Sequence, residues 1–168
     1  GARVARSCRW HVALARAIGA DRAEGHGLSR TRVRAILDTM IALGIHPIAR
    51  IVVAKDPLLA HKKLDLAIKR KSDLKPWLDK NGNPWLDPHQ RAVWQYAADL
   101  ALEAYDLGFS EVQFAYVRFP DEKRLATETV YPLANGRSRA QVIREQLGFL
   151  RKTLKPRGMR VTADVFGL

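Results

Sequence analysis

Residues 29–53, SRTRVRAILDTMIALGIHPIARIVV, pass from a helical pattern to a strand pattern within one short run. Their apolar side chains first recur every three or four residues, as on one face of a helix, and this run stops at Gly44. β-Branched residues then dominate from Ile48 to Val53, which is typical of a buried strand. The stretch therefore predicts a helix that leads directly into a strand.

The same order of helix, glycine and strand occurs twice more along the chain. In the second unit, Asp87 and Pro88 predict the start of a helix that ends at Gly108, and the strand is predicted over Val112–Phe119. In the third unit, an amphipathic run leads to a strand at Arg160–Ala163. Repeated helix–strand units are typical of an α/β fold.

Strands joined by helices of this length lie parallel, because each helix carries the chain back over the sheet face. A doubly wound dinucleotide-binding fold would need a glycine-rich turn directly after a strand, and neither that turn nor a phosphate-binding loop occurs. The pattern therefore favours a (β/α)8 TIM-type barrel with parallel strands. A complete barrel takes roughly 250 residues, so 168 residues predict a partial barrel, which we expect to be poorly soluble because its sheet edges are open.

The first 28 residues are rich in arginine and alanine and show no strand pattern. A helix from Trp10 to Ile18 fits this composition. We therefore divide the chain into an irregular or partly helical N-terminal segment, residues 1–28, and a partial (β/α) barrel domain, residues 29–168.

The formal net charge of +12 and the sequence pI near 10.3 suit a polyanionic partner such as nucleic acid. No aromatic residues interleave with the basic runs, as base stacking would require, so nucleic acid is the weaker expectation. The single cysteine, Cys8, excludes an internal disulfide. No stretch is long and apolar enough to span a bilayer, and an extracytoplasmic or cell-envelope location is expected only if the full-length protein carries an export signal.

Charged residues recur where the predicted strands end, which is where the reacting groups of a barrel gather. A glycosidase needs two carboxyl groups that flank the sugar linkage, and Asp56 and Asp164 are the candidates at these ends. Asp164 is the stronger candidate, because its neighbours in the strand are apolar and a carboxylate there costs free energy unless another group pairs with it. The alternative for Asp164 is a salt bridge to Arg50 or Arg118.

Residues 76–87 repeat the motif Pro-Trp-Leu-Asp around an Asn-Gly turn, which predicts a hairpin inside a loop. Trp77 and Trp85, brought together there, could form a flat platform for a sugar ring. The alternative is that both rings form the small core of the loop.

The five histidines show no spacing typical of metal ligands, and no nucleophile-elbow motif occurs. We therefore expect neither a metal nor another cofactor.

Four segments in the same order resemble one bacterial family: ARIVVAKDP at 49–57, WLDP at 85–88, EVQFAYVRFP at 111–120 and TADVFG at 162–167. The family has long been classed as a domain of unknown function and is described as a putative glycoside hydrolase, distantly related to amylase-type barrels. The resemblance implies a TIM-type barrel that acts on a poly- or oligosaccharide.

One position departs from the family pattern. The family usually has aspartate just before Tyr116, where this chain has Ala115. In amylase-type barrels an aspartate of the corresponding strand is the nucleophile, so the resemblance implies that this chain lacks half of its catalytic pair. The first, acidic strand of the family, normally upstream of Gly27, is not recognisable in the sequence either.

Three interpretations of the function follow. The first is a glycoside hydrolase with Asp164 as acid/base, Asp56 as a second candidate, and position 115 disabled. The second is a carbohydrate-binding barrel fragment without catalysis. The third is a basic nucleic-acid-binding domain, whose binding would depend steeply on salt. In the first interpretation the residues that contact the saccharide are Arg50, Lys55, Tyr116, Arg118, Trp77 and Trp85.

Overall fold

The structure is a computed structural model that describes residues 11–13 and 29–164, and its helices and strands alternate along the chain. The strands are β1 (His11–Ala13), β2 (Ile48–Val52), β3 (Lys69–Arg70), β4 (Glu111–Ala115), β5 (Thr129–Val130) and β6 (Arg160–Ala163); the helices are α1 (Arg30–Ala42), α2 (Pro57–Lys62), α3 (Arg91–Leu107), α4 (Leu125–Glu128) and α5 (Arg139–Leu154).

The main sheet has the strand order β1-β2-β4-β6, and every neighbouring pair is parallel. The order in space follows the order in the chain, with α1, α3 and α5 as the connections between successive strands. This topology confirms the predicted α/β fold with parallel strands. It is the arrangement of successive units in a (β/α)8-type barrel.

The helix ends follow the signals in the sequence. The Ser29 hydroxyl accepts a hydrogen bond from the Arg32 amide at the start of α1. A Ser-x-x-Gln spacing predicts a capping box at the start of α5, and Ser138 and Gln141 form it. After α1 the chain turns at Gly44, which has φ +73°, a conformation that favours glycine.

Helix α3 begins three residues later than Asp87 and Pro88 predict. Its first residue is Arg91. Asp87 instead accepts hydrogen bonds within a turn, from the amide of His89 at 2.9 Å and from the ring Nδ1 of the same residue at 2.8 Å. The carboxylate therefore stabilises a turn ahead of the helix rather than the helix itself.

Strand β4 is also shorter than predicted, because it ends at Ala115 rather than at Phe119. Tyr116, the next residue, has φ +55°, which lies in the left-handed region that interrupts a strand. The bulky β-forming residues after it could not reveal this break, since their composition still reads as strand.

The N-terminal part contains a strand where a helix over Trp10–Ile18 was the expectation. His11–Ala13 pairs in parallel with β2, in the register His11 with Ile48. Pairing with the sheet overrides the helical preference of an Arg/Ala-rich segment. The remainder of residues 1–28 lies outside the described residues, and the division of the chain at residue 28 stays a prediction.

The two faces of the sheet differ in chemistry. The face toward α3 and α5 carries apolar residues that are at most 3% exposed: Ala49, Ile51, Val112 and Phe114. On the other face, here called the inner face, half-buried Arg50, Gln113 and Thr162 lie side by side in the strand register. The helix-facing side therefore forms the core, and the inner face carries polar groups.

Two long loops follow the carboxyl ends of β2 and β4, residues 53–90 and 116–138. They join through the antiparallel pair β3·β5. The loop after β2 also contains the predicted hairpin, in which Leu78 bridges Pro84 and the Asp79 amide donates to the Asn83 carbonyl at 2.9 Å. Within the described part of the chain, none of the helices combines the length and the apolar character needed to cross a membrane.

Candidate functional site

The candidate site lies on the inner face, where β2, β4 and β6 end. The register pairs Val52 with Ala115 and Phe114 with Ala163. Asp164 continues the β6 pairing, because its amide donates to the Phe114 carbonyl at 2.9 Å. Asp164 therefore lies beside Ala115 at the carboxyl end of the sheet.

Arg50 and Asp164 form an ion pair across this site. Arg50 Nη2 lies 3.1 Å from Asp164 Oδ2, and both side chains are 29% exposed. This is the salt bridge that the sequence left open as the alternative for Asp164. Because β4 runs between β2 and β6, the arginine side chain reaches over β4 to make the contact.

Ala115 lies between the strands that carry these two partners. By strand alternation it shares the inner face with Gln113, and it is 1% exposed. Its methyl group offers no atom that can ionise or attack. Position 115 therefore adds neither a charge nor a nucleophile beside the Arg50–Asp164 pair.

Asp56, the second predicted catalytic acid, lies at the start of α2. It is 6% exposed, and its Oδ1 accepts a hydrogen bond from the Leu59 amide at 3.0 Å, which caps α2. Its Oδ2 accepts from the Tyr96 hydroxyl at 3.3 Å. Asp56 therefore caps α2, with each of its oxygens accepting one hydrogen bond from the protein, and its catalytic role stays a prediction.

Burial and the neighbouring Asp56 both affect the pKa of the Tyr96 hydroxyl. Its own burial, together with the neighbouring Asp56 carboxylate that accepts its hydrogen bond, raises the pKa of Tyr96 to about 12. Tyr96 therefore stays a neutral donor to this carboxylate at physiological pH.

A cluster of two cations and two rings lies at the ends of β2 and β4. The Trp85 and Tyr116 rings meet edge to face with 5.8 Å between their centroids. Lys55 Nζ lies 5.6 Å and 5.4 Å from these two centroids. Arg118 Cζ lies 5.7 Å and 5.4 Å from them. The structure thus brings together four of the residues that the sequence predicts for saccharide contact.

The two tryptophans do not form an open platform in this structure. Trp77 is 1% exposed and Trp85 is 3% exposed. The indole of Trp77 donates to Glu128 at 2.8 Å, and that of Trp85 donates to Asp79 at 3.0 Å. Their burial favours the alternative, in which both rings are the core of the loops, and contact of either ring with a saccharide stays a prediction.

Asp79 stabilises the hairpin that carries Trp85. It accepts hydrogen bonds from the amides of Asn81 and Asn83, both at 2.9 Å, in addition to the indole of Trp85. Although burial raises the pKa of Asp79, these three hydrogen bonds and the nearby Lys55 cation hold it below its ordinary value. The carboxylate is therefore charged and fully engaged.

The sequence reasoning missed polar residues of the inner face. Gln113 and Thr162 lie two residues before Ala115 and Asp164 on their strands. At the amino end of the same face, Glu111 accepts from Thr162 Oγ1 at 3.2 Å and lies 3.3 Å from Arg160 Nη1. The signal that could have found them is alternation, because residues two apart on a strand share a face.

Within the described ranges, no three His, Cys, Asp or Glu side chains come together in a way that could hold a metal ion. The chemistry available at the site is that of one carboxylate, several cations and hydrogen-bonding groups. Such a set can bind and orient hydroxyl groups, and it can exchange one proton.

The sequence pattern of a family described as "putative glycosyl hydrolase domain" matches residues 11–168. This match confirms the family resemblance found in the sequence. No curated protein matches the chain.

Solved structures support the fold. A hypothetical protein from Ruminiclostridium thermocellum is 36% identical, with a TM-score of 0.71 over 80% of this chain and 66% of that one. A chitobiase from Flavobacterium johnsoniae is 16% identical, with a TM-score of 0.57 over 84% of this chain and 22% of that one.

An alpha-galactosidase from Thermus thermophilus is 16% identical, with a TM-score of 0.53 over 78% of this chain and 26% of that one. At these identities the two enzymes show the fold alone, and they confirm the partial TIM-type barrel. The chain spans less than two thirds of the length of each of these three proteins.

Proposed function

Because the chain belongs to this putative glycosyl hydrolase domain family, we propose that it binds a poly- or oligosaccharide at the carboxyl edge of its sheet without hydrolysing it. Sugar hydroxyls would contact the cationic and aromatic groups at the ends of β2 and β4, and Asp164 would face the glycosidic linkage. The family membership supports the class of ligand, and the inner face supports the place.

The observation that carries the proposal is the position of Ala115 beside Asp164. Neighbouring strands lie about 4.8 Å apart. Two carboxyl groups on such neighbours would therefore match the separation of about 5–5.5 Å that retaining glycosidases use. In this chain one of the two positions carries a methyl group, so the pair is reduced to a single carboxylate.

The remaining side chains have distinct proposed roles. Asp164 is the residue that would donate and accept the proton, and Arg50 at 3.1 Å holds its carboxylate in place. Lys55, Arg118 and Tyr116 are proposed to contact the saccharide from the loops. Since a nucleophile contributes several orders of magnitude to the rate, its absence leaves binding as the main activity.

The test is to measure binding and reducing-end release on the same saccharides. The chain is titrated with α- and β-linked oligosaccharides in a calorimeter, and the same mixtures are then assayed for new reducing ends. The proposal expects binding of at least one saccharide and no release above the uncatalysed rate. Matched titrations of an Asp164→Asn variant show whether binding uses the inner face.

Two outcomes contradict the proposal. Release of reducing ends by the unaltered chain would show that a second acid outside position 115 completes the reaction. Binding of none of the saccharides, together with salt-dependent binding of an oligonucleotide, would favour the nucleic-acid interpretation instead.

A further inference from the structure

We propose that a groove between the two long loops is a second binding site, which takes an anionic segment of a saccharide with carboxylate or sulfate groups. This inference rests on the proposed function and names the class of its ligand. The groove, here called the loop groove, has a volume of about 880 Å3. The charged residues that line it are Arg70, Lys71, Asp79, Lys80, Arg124 and Glu128.

The loop groove lies on the side of the molecule that carries the candidate site. Its walls come from the loops that follow β2 and β4, and in a barrel such loops surround the ligand. Its volume falls within the range of about 300–1,000 Å3 that is typical of ligand sites. It therefore has the position and the size for an adjoining subsite.

The groove is held in shape by contacts between its two walls. Arg124 Nη2 donates to the Leu78 carbonyl at 2.8 Å, and the Lys80 amide donates to Glu122 at 3.0 Å. The pairing of β3 with β5 joins the same two loops. A ligand would therefore meet a preformed surface, which lowers the entropy lost on binding.

The acidic groups of the lining are engaged by the protein. Asp79 accepts three hydrogen bonds from its own hairpin and the Trp85 indole. Glu128 accepts from the Trp77 indole at 2.8 Å and lies 3.2 Å from Arg124 Nη1. The charge of buried Asp79 is thus directed into its hairpin, whereas the exposed charge of Glu128 is paired with Arg124.

Two cations of the lining are left without an acidic partner. Lys71 and Lys80 are exposed, and no carboxylate of the described ranges lies within 4.0 Å of either ammonium group. Lys71 Nζ contacts only a neutral group there, the Ala126 carbonyl at 3.3 Å. By contrast, Arg70 pairs with Asp73 at 2.6 Å. The two lysines are therefore the groups that a bound anion would meet.

The aromatic content of the groove favours a saccharide over a nucleic acid. Trp77, the aromatic residue of the lining, is 1% exposed, and Arg124 Cζ covers its ring at 4.9 Å. A bound base would need an open ring to stack on. The groove offers instead ammonium groups and the exposed hydroxyls of Ser72 and Thr127, which suit acidic sugars.

The experiment compares three hexasaccharides of equal length, namely galacturonate, a sulfated chain and a neutral glucose chain, by calorimetric titration at low and high salt. The groove variant is Lys71→Ala/Lys80→Ala. The matched control is Lys62→Ala/Lys63→Ala, which removes the same charge from exposed positions outside the lining. A single-stranded oligonucleotide is titrated in parallel.

The proposal expects the groove variant to raise the Kd of one or both anionic hexamers by about tenfold, while the control variant and the neutral hexamer show no change. Equal losses in both double variants would overturn it in favour of a general effect of net charge. Equal Kd values for neutral and anionic hexamers would overturn it while the proposed function stands. Binding of the oligonucleotide alone would overturn both.

Discussion

The helix-facing side and the inner face of one sheet are built from alternate residues of the same strands, and they differ in burial and in polarity. Phe114 on the first side is fully buried, whereas its neighbour Gln113 on the second is half-buried and polar. The first side holds the fold together by removing apolar area from water. The second collects charged and polar groups at the strand ends. Adjacent residues of one strand therefore contribute to different properties, one to the stability of the fold and the next to the face that binds a ligand.

The largest effect should come from truncating the buried side. Phe114→Ala removes a ring from the core and is expected to lower the free energy of unfolding by about 3–5 kcal/mol. Gln113→Ala, one residue away, should change it by less than about 1 kcal/mol because its side chain is not part of the core. Urea unfolding of both variants checks the contrast, and equal losses would contradict the separation of the two faces.

An Asp79 variant tests whether the stability of the loops depends on one buried carboxylate. Asp79→Asn keeps the size but replaces an acceptor of three hydrogen bonds, so it should cost about 1–3 kcal/mol at pH 7. Because the folded-state pKa of Asp79 is lowered, its stabilisation is present above the unfolded pKa and is lost as the pH falls through the folded pKa.

The measurement is unfolding of the unaltered chain and of Asp79→Asn between pH 7 and pH 3. The difference between them should shrink toward the acid end. A difference that stays constant over this range would show that the charge of Asp79 does not stabilise the loops. Asp73→Asn, at an exposed carboxylate that pairs with Arg70, is the control and should have a small effect at every pH.

Arg50 should matter little for stability and much for binding. Its ion pair with Asp164 is partly exposed, so Arg50→Gln is expected to change the free energy of unfolding by less than about 1 kcal/mol. The same variant should weaken saccharide binding about tenfold, because it removes the cation and leaves the Asp164 carboxylate without the partner that fixes its position. Arg50→Lys keeps the charge, so its Kd should lie between those of the unaltered chain and of Arg50→Gln. Equal Kd values in all three proteins would show that Arg50 does not contribute to the site.

The sequence predicts the helix–strand order well where local signals and burial agree. The glycine at 44, the capping box at Ser138 and the apolar strand before Lys55 all act over a few residues, so they are readable without tertiary information. The strand at His11–Ala13 was missed because three residues carry too little pattern, and only pairing with β2 defines it. The end of β4 depends on the φ of Tyr116, which composition does not encode.

The site is predictable in part for the same reason. Arg50, Ala115 and Asp164 come together because parallel strands end at one edge, and the order of the motifs already indicates this. The role of Asp56 depends on two partners, the Leu59 amide and the Tyr96 hydroxyl, one of which is distant in sequence. The burial of the two tryptophans depends on packing between two loops. The sequence names such residues but does not reveal which contacts they make.

The central claim is that position 115 is the missing half of a catalytic pair with Asp164. It is tested most directly by reducing-end release from the saccharide that the chain binds, measured for the unaltered chain, for Ala115→Asp and for Ala115→Asn. The account predicts release by Ala115→Asp alone, with retention of the anomeric configuration, because Asn has the same shape but no carboxylate. Release by the unaltered chain, or equal release by the Asp and Asn variants, would contradict it.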